Sequence, residues 1–140
     1  MVHEIIRRHL NQPAKLTGIV GLCVYLSLGY LLKIKLTYDY ANWTNNYALL
    51  RGYLRAAHVH GLTLSFLIIF YAFLIEFSGL GDKLKKVAVT LAISGVILMP
   101  ITLVLSGFGI KILILSHISI IMIISSVFIL AAAHIKKGLR

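Results

Sequence analysis

Four apolar stretches, each long enough to cross a bilayer as a helix, leave this chain little freedom in its fold. They run over about residues 14–36, 49–77, 87–108 and 110–134. A spanning helix needs about 20 mostly apolar residues. Hydrophobic residues make up 59% of the 140 and charged residues 13%, where soluble domains carry about 25% charge. The expectation is an all-α chain, an integral membrane four-helix bundle embedded in the lipid bilayer. It forms one domain over residues 1–140 with little outside the membrane.

The connections are short. Thr37 to Ala48 is the longest and carries Tyr38, Tyr40, Trp43 and Tyr47, the residue types of an interfacial aromatic belt. Ser78 to Lys86 reads as a tight basic turn, and Gly107-Phe108-Gly109 as a hairpin turn. Pro100 inside the third stretch removes a backbone donor and predicts a kink. The first stretch follows a basic tail with no cleavage pattern, so it reads as a retained helix.

The net charge of +10 lies at the ends of the apolar stretches, which suits anionic lipid headgroups. No nucleic-acid motif accompanies it. Nine basic residues fall in the N-terminal tail, the second connection and the C-terminus; Lys33, Lys35, Arg51, Arg55 and Lys111 fall on the other side. The positive-inside rule then predicts cytoplasmic N and C termini in a multi-pass protein of the plasma membrane. Cys23 is the single cysteine. It allows no internal disulfide, no cysteine zinc site and no covalent haem attachment, and reads as a small core residue.

The chemistry concentrates in Arg55-Ala56-Ala57-His58-Val59-His60-Gly61. A histidine inside a bilayer is costly and needs a partner. Residues at i and i+2 project about 200° apart on a helix, so His58 and His60 serve different partners. Counted from the start of the second stretch, they lie about 14–17 Å along it. His117 lies about 10 Å along the fourth, which enters from the same side. Three histidines at similar depth on two helices suit bis-imidazole ligation of a haem iron. Arg55 and Arg51 lie one and two turns outward from His58, where propionates would point. One metal ion held by both His58 and His60 would require the helix to unwind.

Ala57-His58-Val59-His60-Gly61, followed by an apolar helix, resembles the His-x-His helix of the catalytic subunit of the haem-copper oxidase and nitric oxide reductase superfamily. In that family the first histidine ligates the high-spin haem. The second ligates the low-spin haem, whose other ligand is a histidine on a separate helix. The resemblance implies that His58 matches the first, His60 the second and His117 the separate one. It is confined to this helix: the family subunit has about twelve spans and a His-His pair among its copper ligands, both missing here. It therefore implies a small haem b protein or a small respiratory subunit, not oxygen reduction by this chain alone.

The expected function is a membrane haem b protein carrying electrons in or beside a respiratory chain, with one haem or two. His60 and His117 are the expected axial ligands, and His58 a ligand to a second haem or a neighbour of the first. A quinone or a redox protein is the expected partner, in a homo-oligomer or a larger complex. The alternative is a cofactor-free accessory subunit of a respiratory complex. Gly18, Gly21, Tyr25 and Gly29 share a face suited to close helix packing. Gly95, Met99, Thr102 and Ser106 share another that lines the bundle. Glu76 is expected to pair near the lysines of the second connection, and His3, His9 and His134 to be interfacial or solvated.

Overall fold

The structure is a computed structural model of the chain. It describes the backbone of residues 2–45 and 47–138 and the side chains of residues 12–43 and 47–136, so the side chains of His3 and His9 lie outside it. Five helices follow in order: α1 (Val2–Tyr38), α2 (Tyr40–Asn45), α3 (Ala48–Glu76), α4 (Asp82–Gly107) and α5 (Ile114–Gly138), with no strand among the described residues. Gln12–Tyr38, Ala48–Glu76, Asp82–Gly107 and Ile114–Lys136 are each long and apolar enough to cross a membrane. The chain is an all-α, multi-pass membrane bundle.

Neighbouring helices run antiparallel. Lys15 of α1 meets Glu76 of α3 at 2.7 Å, and Gly107 of α4 faces Leu50 and Tyr53 of α3. Ser126 of α5 reaches the Ala88 carbonyl of α4 at 2.9 Å. In space the order is α1, α3, α4, α5, with α3 and α4 central. Lys15, Glu76, Lys85 and Lys136 gather at one end, called here the terminal end; Trp43, Arg51 and Lys111 mark the other, the Trp43 end.

Association in lipid depends on close packing and hydrogen bonds, because hydrocarbon is as apolar as leucine. Small residues accordingly line the interfaces. Gly18 and Gly21 admit Ser65, Ile68 and Ile69 of α3, and Gly95 admits Ile123 and the Ser119 backbone of α5. On the face expected from Gly95, Met99, Thr102 and Ser106, Met99 is half-buried and the other three are buried. The main core, including Ile68, Tyr71, Ile75, Ala88, Val96 and Leu130, occupies the terminal half. There Tyr71 and Ser126 join α3 to α5: the two hydroxyls are 2.7 Å apart, and Tyr71 donates to the Ser126 carbonyl at 3.3 Å.

Several boundaries differ from the sequence reading. α4 begins at Asp82, not near Val87, because extended Gly81 (φ −68°, ψ 155°) launches it and Asp82 suits the positive end of the helix dipole. Lys83, Lys85 and Lys86 are therefore helical, and Lys85 is buried. α4 ends in a Schellman motif: Gly109 N–H donates to Ser106 and Ile110 N–H to Leu105, with Gly109 at φ 85°. The connection then continues through Leu113, so α5 starts four residues later than expected. Pro100 lies inside α4 without ending it. The aromatic connection folds into the end of α1 and into α2, with Trp43 buried and Tyr38, Tyr40 and Tyr47 exposed. Cys23 faces outward, not into the core.

Candidate functional site at the α1–α3 interface

His58 sits about a third of the way along α3 and turns toward α1, half-buried. Its ring lies over Gly29, where an added Cβ would overlap the imidazole. Tyr25 makes the reciprocal contact, its ring lying over Gly61 of α3. Each helix thus seats one ring in a glycine notch of the other. In helical register the Gly29 N–H points to the Tyr25 carbonyl. With no side chain on Gly29, that carbonyl is open from the side, and His58 Nδ1 reaches it at 2.6 Å. A carbonyl only accepts, so Nδ1 carries the proton, and in the neutral imidazole Nε2 keeps its lone pair.

Beside the ring lies an open groove of about 410 Å³ whose lining includes Lys33, Thr37, Tyr40, Arg55 and His58. Arg55 and Lys33 are exposed, and neither makes an ion pair among the described residues. Arg51, one turn further out, is half-buried and outside this groove. In the sequence, Lys33 stands only as a charge at the end of the first stretch. Nothing in its spacing reveals that α1 packs so as to bring it beside Arg55.

The other two histidines share the depth of His58 but not its cleft. Tyr71 and Ser126 meet across the parallel helices α3 and α5, an offset of 55 residues. That offset sets His117 about level with Leu62, close to His60. The expected match in depth is therefore present. The faces do not match. Ser126 is fully buried toward α3 and α4, and His117, nine residues earlier, lies about half a turn away around the helix. His117 is exposed on the outward side of α5, between Ile114 and Ile121. His60 is exposed on α3 and points away from α1. No group of three His, Cys, Asp or Glu side chains is close enough to share a metal ion among the described residues.

His134 is exposed near the terminal end, its Nδ1 3.0 Å from the Leu130 carbonyl. Glu76 pairs with Lys15 of α1 at 2.7 Å. Comparison with protein-family models, curated proteins and solved structures finds no match. The functional reading therefore rests on this geometry.

An imidazole whose Nδ1–H is held by a backbone carbonyl is oriented as metal-bound histidines usually are, which fixes the tautomer and the ring orientation. Two cations at the mouth of the same groove complement a ligand with an apolar body and anionic ends.

Proposed function

We propose that this is a membrane haem b protein in which His58 supplies an axial ligand through Nε2 and Arg55 and Lys33 receive the propionates. The observation that carries the reading is the 2.6 Å contact between His58 Nδ1 and the Tyr25 carbonyl, with both cations in the adjoining groove. When bound, haem supplies a one-electron couple. This chain's residues orient it, hold its charge near the interface and keep it in an apolar setting. His60 and His117 face outward at the same level, where either would be open to a haem held by a neighbouring chain in an assembly. The protein then carries electrons in or beside a respiratory chain in the plasma membrane. The charge asymmetry of the sequence supports a cytoplasmic terminal end.

A second reading, a cofactor-free accessory subunit, is favoured by the same contact seen alone: His58 already fills the Gly29 notch and has a hydrogen-bond partner. The two are separated by the visible spectrum of protein purified from haem-replete cells. A reduced-minus-oxidised haem b signal that is lost in His58→Ala supports the first. A colourless wild type supports the second.

A further inference from the structure

At the Trp43 end a second cavity, about 390 Å³, opens between the start of α3, the end of α4 and the start of α5. Its lining includes Leu49, Tyr53, Ser106, Lys111, Leu113 and Ile114. Ser106 is the anomaly. Thr17, Ser27, Thr37, Ser65, Thr102 and Ser119 each donate to the carbonyl four residues back in their own helix. Ser106 is 8% exposed, and its hydroxyl has no partner at all. A buried hydroxyl left unpaired bears its desolvation cost uncompensated, so a group that accepts from it has a ready place here.

The surroundings specify the charge of that group. The first turns of α3 and α5 both border the cavity through Leu49 and Ile114. Among their leading amides, Arg51 N–H already donates to Tyr47, and Leu115 and Ser116 N–H to Ile112 and Leu113; α3 has no side-chain cap. α3 and α5 direct their positive dipole ends this way and α4 its negative end, so the dipoles leave a small net positive contribution. Lys111 adds a full charge and makes no ion pair among the described residues. The nearest acid in the sequence at this end, Asp39, pairs with Lys35 at 3.7 Å. The cavity therefore combines donors and positive potential with no carboxylate in its lining.

We propose that this cavity binds a phosphate group, held by Ser106 Oγ and Lys111. It shares no residue with the His58 groove, so loss of either site leaves the other intact. The phosphate can arrive as the free anion or on a lipid headgroup, and one experiment separates these. The full chain is delipidated in detergent, and its affinity for phosphatidylglycerol and phosphatidylcholine is read by native mass spectrometry, with and without excess inorganic phosphate. Wild type is expected to prefer phosphatidylglycerol, whose phosphate has no ammonium neighbour. Ser106→Ala and Lys111→Gln are each expected to weaken that binding about tenfold, the value of one hydrogen bond to a charged group. Lys35→Gln at the same end is expected to leave it unchanged. Displacement by inorganic phosphate identifies a site open to the free anion; no displacement identifies the lipid headgroup as the source. Equal binding of phosphatidylglycerol by wild type, Ser106→Ala and Lys111→Gln overturns the proposal. So does equal binding of the two lipids by wild type.

Discussion

The His58 ring of α3 occupies the space that a side chain on Gly29 of α1 would fill, and from there its Nδ1 reaches the Tyr25 carbonyl. One missing methyl group thus sets the helix separation, exposes the acceptor and selects the imidazole tautomer. Tyr25 over Gly61 repeats the device in the opposite sense a short way along the interface.

Gly29→Ala is expected to drive the imidazole out of its notch. Overpacking of this kind costs about 1–3 kcal/mol, readable as a lower thermal midpoint in detergent. Gly52→Ala, on α3 with nothing near the added atom, is the control. It is expected to be neutral or to stabilise by up to about 1 kcal/mol, the helix preference of Ala over Gly. Equal destabilisation by both substitutions would show that the notch is not specific.

The three histidines are expected to separate in the spectrum. His58→Ala is expected to lose the haem signal entirely. His60→Ala and His117→Ala are expected to retain haem, and a change of spin state in either marks it as the ligand supplied to a neighbouring chain. Full haem retention in His58→Ala rules out the α1–α3 groove.

Replacing Arg55 or Lys33 with Gln is expected to keep the haem and lower its midpoint potential, because a nearby positive charge favours the reduced iron. Arg51→Gln is expected to change it less, since Arg51 stands outside the groove. Potentiometric titration of the three variants tests the ranking; an equal shift in all three would point to bulk surface charge.

The Tyr71–Ser126 pair binds α3 to α5 across the terminal half. Interhelical hydrogen bonds in membranes contribute about 0.6 kcal/mol on average and up to about 1.7. Tyr71→Phe and Ser126→Ala are expected to be non-additive, with a coupling in that range in a double-mutant cycle. Strict additivity would mean that the contact contributes nothing to stability.

Reporter fusions after Arg140 and at Trp43 are expected to fall on opposite sides of the membrane, the first in the cytoplasm. Fusions reporting the same side would break the four-span arrangement and the shared depth of the histidines with it.

The number, type and rough extent of the spans were legible in the sequence, because a long apolar run has no other stable form in a bilayer. The depth of His58, His60 and His117 was legible too, since antiparallel spans of similar length set levels through the rise per residue alone. Helix ends were less so: Asp82 and Ile114 open their helices through the backbone geometry of Gly81 and the Schellman turn at Gly109, and hydropathy carries no trace of either. Azimuth was decided by tertiary structure alone. In water a helix declares its buried face by its apolar stripe. In lipid the outward face is as apolar as the inward one, so nothing in the pattern around Cys23, His60 or His117 shows that all three face out. What turns His58 inward is the fit of its ring to a glycine on another helix, a relationship that exists only once α1 and α3 have packed.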